Sequence, residues 1–304
     1  MGVLHATPRS FCPLARMMSQ RCLYTLLHAA RENHEEILHG LVQPVAREIR
    51  GHAALDSLFF ARFNVPDWQV RFRVLGRPEW VEGPVRKLVD DRLTVLKERG
   101  LVDACEFAEY EREYERYGGK EGMALAEQIF LHDSMACLDL IDVERRGLLA
   151  RSRREFALVV TERFLDLLEL DRSQRLRFYR FGYQWAVEGG SWREEERGTL
   201  EERYRSLAPG LEELFLGETS RDPVALYGGR EAAAIAQRLL ESLRPVAGRL
   251  VEGHRQGRIS QDLISLAWSC THMQCNRLGI DPAAESVLRF FMHRFVEDHP
   301  ATED

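Results

Sequence analysis

Hydrophobic residues repeat with two different periods along the chain, and the period changes near Lys120. Before that point, two-residue alternation and 3.6-residue repetition follow one another, which predicts strands separated by helices. The predicted elements are a strand over Cys22–Ala29, a helix over about His34–Arg50, strands over Asp56–Phe63 and Trp68–Leu75, a helix over Pro84–Arg99 and a strand over Val102–Tyr110.

From Lys120 onward the helical period takes over. A segment over Gly189–Gly229, which is richer in glycine, proline and charge, is predicted to be a short helix between mobile loops. The other predicted helices are Gly122–Leu140, Arg154–Leu170, Ser173–Glu188, Arg230–Arg255, Ser260–Leu278 and about Pro282–Glu297.

The order of the first six elements is that of a split βαβ, or ferredoxin-like, sheet. We therefore predict an α+β fold with an N-terminal ferredoxin-like βαββαβ antiparallel sheet over residues 22–117. A mostly helical C-terminal half, over residues 118–297, is predicted to pack on that sheet. One domain is expected to span residues 1–304.

Composition excludes several classes of protein. The formal charge of −6, from 42 basic and 48 acidic side chains, argues against a general nucleic-acid coat. No apolar run approaches the roughly 20 residues that cross a bilayer, so no membrane association is expected. The six cysteines form no Cys-x-x-Cys pair, which favours free thiols, a cytoplasmic location and no metal site.

The hairpin carries three arginines. Arg71 and Arg73 alternate with apolar residues in the second strand, and Arg62 lies in the first. Two interpretations remain open: a solvated or acid-paired face, or a pocket for a carboxylate or phosphate, which arginine binds through two hydrogen bonds. We expect Arg62, Arg71 and Arg73 to share one surface, covered in part by the later helices.

The run Tyr110–Gly119 is rich in charge and tyrosine. It is either a solvated strand end followed by a Gly-Gly turn, or a segment in which Glu113 orients Arg116 toward the arginines.

His272 lies on an apolar helical face with Ile264, Trp268 and Cys275. An imidazole there is either a satisfied core residue or a proton carrier, since its ordinary pKa is near neutrality.

Four separated motifs together resemble the C-terminal domain of lantibiotic dehydratases, a domain shared with thiopeptide-type bacteriocin biosynthesis proteins. They occur in the family order, and the resemblance runs from about residue 22 to residue 297. The motifs are DSLFFARFNVPDWQVRFRV, EYEREYERYGG, AEQIFLHDS and THMQCNRLG.

The resemblance implies an enzyme that modifies a ribosomally made precursor peptide, composed of leader and core. Elimination members remove glutamate from O-glutamylated serine or threonine and leave dehydroalanine or dehydrobutyrine. Sister members are pyridine synthases, which join two dehydroalanines in an aza-[4+2] cycloaddition and release the leader. A catalytically silent relative that binds a precursor peptide or scaffolds a partner is the third alternative.

The resemblance also implies site residues. The paired arginines match Arg71 and Arg73, the Glu-x-x-Arg before Tyr-Gly-Gly matches Glu113 and Arg116, and the histidine matches His272. These five residues are expected to be catalytic and to border one pocket. The expected substrate-binding residues are Arg62, Gln69, Tyr117, Asn276 and Arg277.

One position departs from the family pattern, because Gln69 stands where elimination domains commonly carry a histidine. No cofactor and no direct contact with nucleic acid are expected. The elimination chemistry implies a separate tRNA-dependent glutamylating protein as a partner. A homodimer is one oligomeric state that the sequence leaves open.

Overall fold

The computed structural model describes residues 20–188 and 194–300. Its first part alternates strands and helices in the order β-α-β-β-α-β, followed by helices. The strands are β1 (Arg21–His28), β2 (Leu55–Phe63), β3 (Gln69–Gly76) and β4 (Ala104–Ala108). Two helical runs with an irregular turn in each, α1 over residues 31–49 and α2 over residues 78–98, connect them.

The strands form one sheet in the order β2-β3-β1-β4, and each neighbouring pair is antiparallel. This confirms the predicted α+β class with an antiparallel N-terminal sheet. The ferredoxin-like assignment stays a prediction, which this strand order supports. The helical turns of α1 start at Arg31, before the predicted start at about His34.

The helices of the second part are long. They are α3 (Lys120–Arg145), α4 (Arg153–Leu167), α5 (Arg172–Glu188), α6 (Glu194–Phe215), α7 (Pro223–Tyr227), α8 (Arg230–Arg255), α9 (Leu263–Arg277) and α10 (Pro282–Asp298). None of the described helices is long and apolar enough to span a membrane.

The prediction of a short helix between loops over Gly189–Gly229 was wrong for its described residues. Helix α6 alone spans 22 residues. Leu200, Tyr204, Leu211 and Leu214 are buried along one side of α6, which gives this helix a face to pack. The glycines and prolines of the segment are typical of loops, and for this reason the helical pattern was not recognised from the sequence. Residues 189–193 lie outside the described residues.

Helix α3 connects the two parts. It packs on β2, while α8 and α9 pack against α3 in turn. The hydroxyl of Ser57 on β2 donates to the Glu127 carbonyl on α3 at 2.7 Å, and Ser134 on α3 accepts from the Phe60 backbone at 3.4 Å. These contacts with α3 hold edge strand β2, which pairs with another described strand on one side only. One face of the sheet is turned toward α3 and α9.

A glycine fixes the start of α3 against the Tyr-Gly-Gly turn. A Cβ at Gly122 would lie 1.8 Å from the Tyr117 carbonyl oxygen, which is backbone and cannot rotate away. We expect Gly122→Ala to lower the free energy of unfolding by about 1–3 kcal/mol through this overlap. Urea unfolding at equilibrium measures the change.

Gly248 on α8 is the matched control, because a Cβ there meets no atom within 4 Å. Gly248→Ala should raise the free energy of unfolding by about 0.5–1 kcal/mol through helix propensity alone. If Gly248→Ala lowered the free energy of unfolding as much as Gly122→Ala, the result would contradict the proposed overlap at Gly122.

Candidate active site

The register of the sheet places Arg71 and Arg73 on the face that turns toward α3 and α9. Arg73 is paired with Phe59 on β2 and with Tyr24 on β1, and directly paired residues point to the same face. This face lines a cavity of about 350 Å³, called the arginine cavity below. The charged and hydroxyl-bearing residues of its wall are Tyr24, Arg71, Arg73, Glu109, Tyr110, Glu111, Glu113, Arg116, Tyr117 and Arg277.

Aromatic rings surround the guanidinium of Arg73. Its central carbon lies 3.9 Å from the ring centroid of Tyr24, 5.2 Å from that of Tyr110 and 5.4 Å from that of Phe59. Its Nε is buried without a hydrogen-bond partner among the described residues. Burial lowers the pKa of Arg73 from its ordinary value, yet a guanidinium stays protonated in proteins. The charge is thus held by ring faces, which leave its N–H donors available to an anion.

Arg71 is arranged in a similar way. Its Nε donates to Oε1 of Gln69 at 3.1 Å, and its guanidinium lies 3.5 Å from the ring centroid of Phe63. Within residues 20–188 and 194–300, no carboxylate forms an ion pair with Arg71 or Arg73. Two adjacent cations without an acidic partner favour a bound anion at this position.

Glu113 and Arg116 line this cavity, which agrees with the second of the two interpretations of the Tyr110–Gly119 run. The Glu113 carboxylate lies 3.3 Å from Arg116, whose Nε also donates to the Ser269 hydroxyl on α9 at 3.3 Å. Because the Glu113 side chain is 60% exposed, solvent screens the pair and Arg116 keeps much of its attraction for a ligand. Tyr117 is a buried part of the wall, and burial raises the pKa of its phenol, which therefore stays protonated at neutral pH.

Gln69 is buried, and it supports Arg71 through the hydrogen bond described above. It is not part of the described wall of the arginine cavity. Its predicted contact with substrate therefore stays a prediction, whereas its contact with Arg71 is a feature of the structure.

The prediction that Arg62 shares a face with Arg71 and Arg73 was wrong. In the observed register Arg62 is paired with Val70, so it points to the opposite side of the sheet. There it forms an ion pair with Glu35 of α1 at 2.8 Å and donates to the Arg277 carbonyl at 3.1 Å. Arg62 lines a different cavity, together with Glu35 and Trp68.

Asn276 and Arg277, predicted to bind substrate, both make contacts that hold the fold together, and their contact with substrate stays a prediction. The Asn276 side chain accepts from the Arg62 backbone N–H at 2.8 Å and donates to the Arg62 carbonyl at 2.7 Å, as a neighbouring strand would. The Arg277 side chain is fully buried, with Nη1 2.6 Å from the Asp133 carboxylate and Nε 2.9 Å from the Phe60 carbonyl oxygen. Arg277 also contributes to the wall of the arginine cavity, and its Nη2 has no hydrogen-bond partner among the described residues.

His272 does not line the arginine cavity, contrary to the expectation that one pocket holds all five catalytic residues. It lines a second cavity of about 400 Å³ with Phe181, Trp268 and Glu285, called the histidine cavity below. Its ring stacks on Trp268 at a centroid distance of 5.1 Å, and its Nδ1 lies 2.7 Å from Glu285. An imidazole held this way is not an ordinary core residue, and it lines a different cavity from Arg71.

The two cavities lie on adjacent sides of one helix. Met273, the residue after His272, lines the arginine cavity, and both side chains are partly exposed. Successive residues of a helix point about 100° apart, with Cα atoms about 3.8 Å from each other. Consecutive residues of α9 therefore line the two cavities.

Several residues around the cavities were missed by sequence reasoning. Tyr24 lies on the same face of the sheet as Arg73 because the two residues are paired. That pairing depends on the register of β1 and β3, which the sequence does not give. Ser269 lies one helical turn from Met273 on α9, so the same helical face contains both. Glu285 comes from α10 and carried no signal linking it to His272.

Comparison with known proteins agrees with this architecture. The family model for the C-terminal region of lantibiotic biosynthesis dehydratases matches residues 23–296. The subtilin biosynthesis protein SpaB of Bacillus subtilis is 25% identical over 293 residues, which cover 94% of this chain and 26% of SpaB. The chain thus spans about a quarter of the length of that relative.

Solved structures show the same fold. The tRNA dependent lantibiotic dehydratase MibB from Microbispora sp. 107891 has a TM-score of 0.69 and 21% identity, over 97% of this chain and 29% of MibB. The pyridine synthase TbtD from thiomuracin biosynthesis has a TM-score of 0.60 and 14% identity, over 91% of this chain and 98% of TbtD. Because the family model matches nearly the whole length of this chain, the chain belongs to the family of lantibiotic biosynthesis dehydratase C-terminal domains.

Proposed function

We propose that this chain modifies a ribosomally made precursor peptide by eliminating glutamate from O-glutamylated serine or threonine. The products are dehydroalanine or dehydrobutyrine and free glutamate. The observation that carries the proposal is the pair Arg71 and Arg73, two cations without a carboxylate partner in the described chain, at the wall of a cavity of about 350 Å³. Membership of the lantibiotic dehydratase C-terminal family supports it.

The chemistry suits guanidinium groups. A base removes the α-proton, the electron pair forms the Cα–Cβ double bond, and the Cβ–O bond breaks to release a carboxylate. The leaving group gains negative charge as this bond breaks, and fixed cations in a partly dry cavity stabilise that charge. Arg71 and Arg73 would hold the carboxylates of the glutamyl group, with Arg116 as a third cation at the same wall.

His272 is the proposed carrier of the α-proton. The glutamyl group would lie in the arginine cavity while the peptide backbone crosses Met273, which brings the α-carbon toward His272. We expect His272→Ala to slow elimination by roughly 10²–10⁴-fold, the usual contribution of general acid–base catalysis, without unfolding the protein. Single-turnover release of glutamate measures the rate, and an unchanged rate would remove His272 from the mechanism.

Other features of the reaction belong to the proposal. The glutamyl group would come from a separate tRNA-dependent glutamylating protein, and MibB is described as tRNA dependent. The precursor would carry a leader and a core, and the reaction would take place in the cytoplasm. Residues 1–304 are proposed to act as one domain.

Pyridine synthase activity is the second candidate. The histidine cavity favours it, because Phe181, Trp268 and Pro282 give that cavity aromatic and apolar walls that fit a flat, unsaturated substrate. His272 would then move protons during formation of the ring and release of water.

One experiment separates the alternatives. The purified chain is incubated with an O-glutamylated precursor peptide and, separately, with a dehydroalanine-bearing peptide. Free glutamate and loss of the glutamyl mass support elimination. Loss of the leader with a new pyridine chromophore supports the second candidate, and binding without either product indicates a non-catalytic peptide-binding protein.

A further inference from the structure

A line of buried polar contacts ends at His272. The Thr271 hydroxyl accepts from Arg289 at 2.9 Å, and the same guanidinium nitrogen lies 3.0 Å from Oε1 of Glu285. Oε2 of Glu285 lies 2.7 Å from Nδ1 of His272. The Arg289 and Glu285 side chains are only 2% and 5% exposed, whereas that of His272 is 26% exposed at the histidine cavity.

We propose that Glu285 is a positioning residue that keeps the proton of neutral His272 on Nδ1 and leaves the lone pair on Nε2. This inference rests on the proposed function for the use of Nε2 as a base. The reasoning is geometric: a carboxylate that accepts from Nδ1 selects the tautomer with the proton on that nitrogen. The stacking of the imidazole on Trp268, with an interplanar angle of 4°, fixes the plane of the ring.

Glu285 has the charge that this task requires. Burial alone would raise the pKa of its carboxyl, but the hydrogen bond from His272 and the charge of Arg289 lower it below its ordinary value. Arg289 is itself held by Thr271 and by the ring of Phe178, whose centroid lies 4.8 Å from the guanidinium carbon. Both oxygens of Glu285 are therefore engaged, and neither is left to bind a substrate.

The partners come from two helices. His272 and Thr271 lie on α9, whereas Glu285 and Arg289 lie one turn apart on α10. Glu285 also belongs to the first turn of α10, where the helix dipole favours a carboxylate. The position of α10 against α9 thus decides the orientation of the imidazole.

The test measures the tautomer and the rate in the full chain. Protein with ¹⁵N-labelled histidine is studied by long-range proton–nitrogen NMR, in which the two tautomers of a neutral imidazole differ. We expect wild-type His272 to carry its proton on Nδ1 and Glu285→Gln to lose that preference. The kcat of glutamate release should fall on the order of 10²-fold or more with little change in KM, as for a residue that orients a base.

Glu297→Gln is the matched control, since it is the same substitution on the same helix at a side chain that is 40% exposed. It should keep the wild-type tautomer and rate. If Glu285→Gln does not fold, Glu285→Gln combined with Arg289→Gln removes both buried charges and serves the same measurement.

An unchanged tautomer, or a wild-type kcat in folded Glu285→Gln protein, would overturn the inference. Failure of the proposed function gives a different result. In that case the wild-type chain releases no glutamate, while the tautomer in the wild type and in Glu285→Gln still decides whether Glu285 positions the imidazole.

Discussion

Replacing Arg73 with glutamine is expected to slow glutamate release on the order of 10²–10³-fold, the loss found when one preorganised donor to a developing anion is removed. Glutamine keeps a polar side chain of moderate length but loses the positive charge. The rings of Tyr24, Phe59 and Tyr110 hold the guanidinium of Arg73 in place. Binding of the leader should change little, because the substitution affects only the glutamyl end of the substrate.

Arg86→Gln provides the control for this prediction. Arg86 also lies over an aromatic ring, 3.5 Å from the centroid of Phe107, but it lines a different cavity and is paired with Asp90. The Arg86 variant should release glutamate at the wild-type rate. Equal rates for the Arg73 variant and the wild type would show that the arginine cavity does not hold the leaving group.

Arg277→Met is expected to lower the free energy of unfolding by about 3–5 kcal/mol, since it leaves the buried Asp133 carboxylate without its cation. Arg277 and Asp133 have side chains that are 0% and 5% exposed and lie 2.6 Å apart. The guanidinium also donates to the Phe60 carbonyl of β2 at 2.9 Å. Removal of the guanidinium should therefore weaken the attachment of the sheet to α3 and α9.

Equilibrium unfolding in urea measures this loss. The double variant Arg277→Met with Asp133→Leu is the control, because replacing both members of a buried ion pair by apolar residues is often neutral or stabilising. It should recover most of the lost stability. A loss below about 1 kcal/mol for Arg277→Met alone would contradict the structural role assigned to the Arg277–Asp133 ion pair.

The arginine cavity was predictable in part. Alternation along β3 places Arg71 and Arg73 on one face, and both do lie there. The sequence could not fix the register of the hairpin, because the connection of β2 to β3 allows more than one pairing. A shift of one residue exchanges the faces of a strand, and this is why Arg62 was assigned to the wrong side of the sheet.

The surroundings of His272 were less predictable. Helical spacing correctly groups it with Trp268, its stacking partner. The carboxylate of Glu285 reaches the imidazole from another helix, and the order of residues along a chain does not say which helices meet. Likewise, the 100° between His272 and Met273 assigns them to two cavities, whereas the family resemblance had implied a single pocket.

A crystal structure with free glutamate tests the glutamate site on Arg71 and Arg73 most directly. We predict a carboxylate of the bound glutamate within hydrogen-bonding distance of both guanidinium groups, inside the cavity that Tyr110 and Tyr117 also line. Glutamate bound elsewhere, or an arginine cavity that stays free of it at saturating concentration, would contradict the proposal.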